Sequence, residues 1–214
     1  MKGISHVLTG IATAIIIDTT IRAISIDCNS TFYNDFSRLL HEPFAALFPT
    51  TFSQTVSYII IYTINIAAFI IGCLLPDCDS EKSIMGRIVH ILVKHRTWTH
   101  TIWCVVVFTL MGFAVPCFFW LAYGYTLHIF FDSMSKCGVC WFYPISQYKI
   151  WNNGAQVKKN HKFYLYRTGK ASETVLLVIW SSVGTVMMMY SIYLSVTRGS
   201  LPFHAEWIAG SNLP

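Results

Sequence analysis

The sequence predicts an all-α fold, a polytopic membrane helix bundle with about five transmembrane helices. Of the 214 residues, 54% are hydrophobic and only 12% are charged, and the mean hydropathy is +0.52. Soluble domains usually carry about 25% charged residues, so this composition argues against an ordinary soluble enzyme and against intrinsic disorder. Because no internal repeat is visible, we expect one domain over residues 1–214.

Five apolar stretches approach the length of about 20 helical residues that a bilayer crossing requires. They lie at about 7–26, 55–75, 100–115, 117–134 and 174–196. The third and fourth stretches form a hairpin that is broken near Gly112 and Pro116. In the first stretch, Asp18 and Arg22 are four residues apart, so they share a helix face and are expected to pair.

The distribution of Lys and Arg predicts the orientation of the spans. With the N-terminus in the cytoplasm, 12 of the 15 Lys and Arg residues fall in cytoplasmic segments. Cytoplasmic loops are rich in these residues, so we expect the N-terminus inside and the C-terminus outside. Residues 82–94 are too short to span and have basic edges, which predicts one interfacial helix on the cytoplasmic side.

The seven cysteines do not form a recognisable framework. Their number is odd and their spacing is irregular, which argues against a secreted disulfide scaffold. Cys137 and Cys140 resemble half of a zinc knuckle, but no second CxxC pair completes it.

Histidines and aspartates gather at the cytoplasmic ends of the predicted spans. Four separate segments bring such residues to this one face. The predicted metal ligands are His6, Asp77, Asp79, His95, His100, His128 and Asp132. Imidazole and carboxylate groups are ligands that suit zinc, manganese or iron. The sequence therefore predicts a site for one or more divalent metal ions; zinc is favoured and manganese is also compatible.

The spacing of these residues suggests how each is presented. His128 and Asp132 stand at positions i and i+4, so they project from one helix face. An extended segment after Pro76 would place Asp77 and Asp79 on the same side of the chain. His95 and His100 are separated by about 140° on a helix, so we expect His95 in the loop before the third span.

Three residues are expected to take part in catalysis. Asp79 is assigned both a ligand and a catalytic role, and Arg96 lies between two predicted ligands, where it can neutralise a phosphate. Glu173 opens the fifth span on the same face. It is either a carboxylate that meets the helix dipole or a further ligand or general base.

These residues resemble a family of membrane-bound metal-dependent hydrolases, also described as inner-membrane hydrolases that bind the LexA repressor. The matching pieces are Ser5-His6, Gly72–Asp79, His95–Thr101, Gly124–Asp132, Gly138-Val139, Phe142–Pro144, and Thr168-Gly169 with Glu173. Position 80 is Ser where the family often has His, so no ligand is expected there. The order of His and Asp is more distantly similar to that of zinc-dependent phospholipase C and P1 nuclease, helical enzymes that cleave phosphoesters.

The resemblance implies a metal-dependent hydrolase of the bacterial inner membrane that acts through metal-activated water. Its expected substrate is a lipid or polyprenyl phosphate, whose head group would be cleaved at the cytoplasmic face. Membrane lipid is the expected partner, nucleic acid is not, and no protein partner is predicted. Two other functions stay open: a divalent-metal transporter, whose site would lie near the bilayer midplane, and a non-catalytic scaffold that binds a repressor.

Overall fold

The computed structural model describes residues 3–27, 54–80, 98–135, 138–145, 150–151, 156–157 and 165–198. The predicted interfacial helix at 82–94 lies outside these residues, as do His95 and Arg96. The chain divides into two compact units: residues 1–10 with 67–179 form unit 1, and residues 11–66 with 180–214 form unit 2. The expectation of one domain stays a prediction.

Helices dominate the described residues, which confirms the predicted all-α membrane bundle. The helices are α1 (Gly3–Asp27), α2 (Gln54–Leu74), α3 (Ile102–Ala114), α4 (Cys117–Ser133) and α5 (Ala171–Arg198). Two short 3-10 turns cover Leu75–Asp79 and Trp98–His100. One feature differs from the all-α prediction. Strands β1 (Ile150–Trp151) and β2 (Gln156–Val157) lie between α4 and α5 and pair in antiparallel fashion.

Three of the described helical segments are long and apolar enough to cross a membrane. They are Gly3–Ile26, Ile60–Asp79 and Ala171–Thr197, which lie close to the first, second and fifth predicted spans. Helix α3 is apolar but has only 13 residues, about 20 Å of helix, against a hydrocarbon core of about 30 Å. The count of five spans and the orientation of the termini therefore stay predictions.

Two prolines determine where the helices of unit 1 end. A residue before proline is disfavoured in the helical region, and Val115 accordingly has an extended backbone between α3 and α4. Pro76 cannot continue α2, because proline lacks the backbone donor that the helix interior needs. The chain turns there into the 3-10 segment Leu75–Asp79, which carries two of the predicted ligands.

Glycines allow the helices of unit 1 to approach closely. A Cβ atom on Gly72 would overlap the backbone oxygen of Leu121, and one on Gly124 would overlap the backbone oxygen of Phe69. Small residues at helix interfaces permit such backbone contact in membrane proteins. Helices α2 and α4 therefore pack backbone to backbone at these two glycines.

Unit 2 is held together by polar contacts between α1 and α5. Arg22 is buried and donates from Nη2 to the backbone oxygen and to Oγ of Ser191, the latter at 2.6 Å. Trp180 donates from Nε1 to Oγ1 of Thr13 at 2.8 Å. The two helices run parallel, as expected for the first and fifth spans. The outer face of α1 is apolar, with exposed side chains at Ile4, Leu8, Ile11, Ile17 and Ile24.

Candidate metal centre

Four side chains of unit 1 converge on one point. Asp77, His100, His128 and Asp132 each offer one ligand atom, and these four atoms lie within 4.8 Å of one another. Asp77 follows α2, His100 precedes α3, and the other two lie on the last turns of α4. The i, i+4 prediction is confirmed, because Nε2 of His128 and Oδ2 of Asp132 are 4.0 Å apart. The group therefore forms where three helices end or begin.

The separations within this group are those of ligands around one cation. Nε2 of His128 lies 3.6 Å from Oδ1 of Asp77, and Nε2 of His100 lies 3.8 Å from Oδ1 of Asp77 and from Oδ2 of Asp132. Zinc bonds of about 2.0–2.1 Å in a tetrahedral arrangement would place neighbouring donors about 3.4 Å apart. Since the group extends to 4.8 Å, some donors would need to move by up to about 1 Å to bind one ion.

The backbone of α2 determines the orientation of His128. Its Nδ1 lies 2.7 Å from the backbone oxygen of Cys73. A carbonyl oxygen only accepts hydrogen bonds, so Nδ1 carries a proton, and in a neutral imidazole Nε2 would then present its lone pair to the group. Nε2 has no hydrogen-bond partner among the described residues. A hydrogen bond at one ring nitrogen commonly sets the tautomer and orientation of a metal-binding histidine.

A short relay gives His100 the same tautomer. The Thr99 hydroxyl donates to Oδ2 of Asp79, and its oxygen lies 3.0 Å from Nδ1 of His100. Because that hydroxyl proton is committed to Asp79, Nδ1 of His100 is the donor to Thr99 and Nε2 is left as a ligand. Burial lowers the pKa of His100, which precedes α3 and lies outside the three long apolar segments, and this favours the neutral form of the imidazole.

The expectation that Asp77 and Asp79 face the same point is wrong. The segment is a 3-10 turn rather than an extended strand, and two residues in such a turn differ in direction by about 240°. Asp77 therefore faces the ligand group, whereas Oδ2 of Asp79 lies 3.6 Å from Nδ1 of His100, on the far side of that ring. The structure places Asp79 as the residue that orients His100 through Thr99.

His6 lies beside the group and contacts its other oxygen. Its Nε2 is 3.2 Å from Oδ1 of Asp132, and its ring stacks on His128 with centroids 3.7 Å apart. Both rings are buried. Gly10 makes this approach possible, since a Cβ there would lie 2.8 Å from Sγ of Cys73. Asp132 thus lies between His6 on one oxygen and the two ligand histidines on the other.

The charge balance of the group fits a divalent cation. Asp77 and Asp132 bring two carboxylates together, and two imidazoles that bind through Nε2 would add no charge of their own. Burying carboxylates is costly unless a positive charge or a metal compensates them. A cation with two positive charges would neutralise the pair, and a set of two nitrogen and two oxygen donors suits zinc.

Comparison with known families identifies the protein at the level of its family. The model of the YdjM inner membrane protein family matches residues 41–199. The chain belongs to the YdjM inner membrane protein family. Comparisons with curated proteins and with solved structures found no match.

Membership in the YdjM family confirms the predicted localisation, an integral protein of the inner membrane. It supports the inner-membrane part of the resemblance, and it gives no support to the hydrolase or phospholipase C and P1 nuclease part. The YdjM match includes Asp77, His100, His128 and Asp132 and leaves His6 outside.

Glu173 is not one of the four residues that converge in this YdjM-family protein. Its Oε2 accepts a hydrogen bond of 2.6 Å from the backbone N–H of Gly169, at the start of α5. Gly169 has a positive φ of 75°, which glycine adopts without strain. These contacts are those of a carboxylate at a helix N-terminus, one of the two expected roles. The catalytic roles of Arg96 and Glu173 and the ligand role of His95 stay predictions.

Of the CxxC pair, the structure describes Cys140, whose burial disfavours the thiolate form that binds metal. Burial raises the pKa of Cys140 to about 11, whereas a cysteine ligand must be deprotonated. Cys137 lies outside the described residues.

Sequence reasoning missed several groups that support the centre. They are the Thr99 hydroxyl, the Cys73 carbonyl, and the glycines at 10, 72 and 124. Tyr125 belongs with them, because its hydroxyl donates to the backbone oxygen of Thr99. Of these groups, only the glycines could have been recognised in the sequence, because glycine within an apolar span favours close helix packing.

Proposed function

We propose that this YdjM-family protein is a metal-dependent hydrolase whose centre is built from Asp77, His100, His128 and Asp132. One observation carries the proposal: four buried or half-buried ligand atoms converge within 4.8 Å, and hydrogen bonds turn both imidazoles so that Nε2 faces the others. His6 is proposed as a further ligand beside Asp132, with which it is in contact.

The proposed reaction is the hydrolysis of a phosphoester. A bound divalent cation would polarise the phosphoryl group and lower the pKa of water. The chain would supply the rest: Asp79 and Thr99 keep His100 in position, Cys73 keeps His128 in position, and Arg96 is proposed to neutralise the phosphate. Asp77 has the only ligand side chain of the four with appreciable exposure, at 18%, so water and substrate are proposed to enter beside it.

The proposed substrate is a lipid or polyprenyl phosphate. All four ligands lie where helices of unit 1 begin or end, which is the level at which a membrane protein meets lipid head groups. By the orientation predicted from Lys and Arg, this face is cytoplasmic. A substrate with a phosphate head and an apolar tail would place the head at the centre and leave the tail in the bilayer.

Metal content measured by elemental analysis tests the centre. Detergent-purified wild-type protein is expected to hold at least one equivalent of zinc or manganese after reconstitution at neutral pH. The double variant His128→Ala/Asp132→Ala is expected to hold none. Phe113→Ala is the control, because Phe113 is an exposed apolar side chain at the end of α3 away from His100, and its metal content should equal that of the wild type. An absence of metal from the wild type would refute the proposed centre.

Phosphate release tests the hydrolase function. Phosphatidate and polyprenyl phosphates in mixed micelles are expected to release inorganic phosphate with the metal-loaded wild type, and the double variant should be inactive. Metal binding without turnover of any lipid phosphate would leave a metal-binding membrane protein and refute the enzyme assignment.

A further inference from the structure

An apolar rim lies beside the candidate centre. We use this name for Trp98, Phe142, Tyr143 and Ile145, which lie on two segments outside the helices. Trp98, Phe142 and Ile145 are 52%, 54% and 73% exposed. Tyr143 packs edge to face against Trp98, with ring centroids 5.3 Å apart. Large apolar side chains on a loop are unusual on a water-facing surface unless they meet a ligand or a membrane.

The rim is tied to the centre through covalent neighbours and hydrogen bonds. Trp98 shares its 3-10 turn with Thr99 and the ligand His100. Thr99 bonds to Asp79, so this turn packs on the turn that carries Asp77, the ligand through which we propose entry. The backbone N–H of Ile102 donates to the oxygen of Trp141 at 2.8 Å, which holds the segment 141–145 beside the start of α3. The rim therefore borders the proposed entrance.

The rim continues a surface that faces lipid. Helix α3 begins four residues after Trp98, and its apolar side chains Trp103, Val106, Val107, Leu110 and Phe113 are exposed. In an integral membrane protein such a helix face contacts acyl chains. The segments 98–104 and 141–145 contain no Asp, Glu, Lys or Arg, so neither of these two described segments places a charged side chain between α3 and the centre. Aromatic side chains at a helix end are typical of the membrane interface.

We propose that the apolar rim binds the acyl chain of the lipid whose phosphate head group enters the metal centre. This inference rests on the proposed function and names the surface that would select an amphipathic substrate. A lipid would slide along the outer face of α3, with its chain against Phe142 and Ile145 and its head at Asp77. A water-soluble phosphoester would gain nothing from this surface.

Photocrosslinking in lipid nanodiscs tests the rim. The probe is phosphatidate with a diazirine in its acyl chain, diluted into phosphatidylcholine, and labelled peptides are identified by mass spectrometry. We expect labels in residues 98–103 and 141–145 of the zinc-loaded wild type. Phe142→Ala combined with Ile145→Ala should reduce this labelling about tenfold, the factor expected for loss of one well-buried apolar contact. Its zinc content should be unchanged.

Phe113→Ala is the matched control, because Phe113 is 77% exposed on the same helix face at the far end of α3. This variant should retain full labelling of the rim. Labels on α3 without any label at 141–145 would overturn the inference, as would equal labelling of the double variant and the wild type.

Labelling without zinc, and labelling with a different lipid head group, distinguish a failure of this inference from a failure of the proposed function. If both are correct, removal of zinc lowers rim labelling by phosphatidate, and a phosphatidylcholine probe with the same diazirine labels the rim less. If the chain holds no metal but the rim is still labelled and still depends on Phe142 and Ile145, the lipid surface stands and the hydrolase proposal fails. If metal binds and the rim is unlabelled, the rim alone is refuted.

Discussion

The glycine at 124 allows a sharp test of how the centre is held. A Cβ atom in Gly124→Ala would overlap the backbone oxygen of Phe69 and would lie 3.0 Å from the backbone nitrogen of Cys73. These are backbone atoms, so no side-chain rotation relieves the contact. Helices α2 and α4 would have to separate by roughly 1 Å to restore ordinary van der Waals distances.

The same separation would break the bond that orients His128. Nδ1 of His128 is 2.7 Å from the Cys73 oxygen, and an increase of about 1 Å exceeds the range of a hydrogen bond. Loss of a partner that orients a metal ligand typically reduces metal affinity by about 10–100-fold. We therefore expect Gly124→Ala to weaken zinc binding by that factor.

Thermal stability is the less informative readout for this variant. Overpacking costs about 1–3 kcal/mol, but replacing glycine by alanine inside a helix returns up to about 1 kcal/mol. The net loss in the free energy of unfolding is therefore about 0–3 kcal/mol, a range that includes no change, whereas the expected loss of zinc affinity is about 10–100-fold. Zinc affinity should be measured by competition with a fluorescent chelator in detergent.

Gly112→Ala is the control for this prediction. Its Cβ would meet the ring of Phe119 at 2.7 Å, a side chain that can rotate, and Gly112 lies near the end of α3 away from His100. Zinc affinity should match the wild type. A folded Gly124→Ala protein that binds zinc with wild-type affinity would refute the argument that the close approach of α2 and α4 positions His128.

Three further predictions follow from single contacts. Thr99→Val removes the hydroxyl that links Asp79 to His100 and should lower zinc affinity about tenfold. Thr99→Ser keeps the hydroxyl and should bind zinc as the wild type does. Equal zinc affinities of Thr99→Val and the wild type would contradict this role of the hydroxyl. Burial lowers the pKa of His100 below its ordinary value of 6.5, so below pH 6.5 the unfolded chain binds a proton that the folded chain excludes. The metal-free protein should therefore lose stability as the pH falls below 6.5, and equal melting temperatures at pH 7.5 and 5.5 would contradict this. Ser191→Ala removes the hydroxyl acceptor of Arg22 but keeps the carbonyl, so thermal unfolding should show a loss of about 1 kcal/mol and elemental analysis unchanged zinc.

The sequence predicted those features of the fold that depend on composition and on local residue patterns. Apolar stretches long enough to span located α1, α2 and α5 to within a few residues, because the bilayer imposes a hydrophobic length that can be counted. The i, i+4 spacing of His128 and Asp132 predicted a shared helix face for the same reason: helix geometry is local. Pro116 marked the break between α3 and α4, since its effect on the preceding residue is also local.

Other features depend on contacts between segments far apart in the chain. Only the tertiary structure placed Asp77 opposite two histidines and Asp79 behind one of them, because the outcome depended on a 3-10 turn that sequence spacing does not specify. Arg22 illustrates the same point. Its hydrogen bonds to Ser191, 169 residues away, join α1 to α5, whereas the pairing with Asp18 expected from their spacing stays a prediction.

The sequence by itself determined that this is an all-α membrane protein with His and Asp residues at helix ends. Composition and periodicity are properties of the amino-acid sequence, so they can be determined without the packing of the folded chain. The tertiary structure alone decided which of those residues come together and which nitrogen of each histidine faces the group. For His100 the hydroxyl of its neighbour Thr99 sets that orientation. For His128 the carbonyl of Cys73 sets it, and α2 and α4 approach closely there because Gly72 and Gly124 lack side chains.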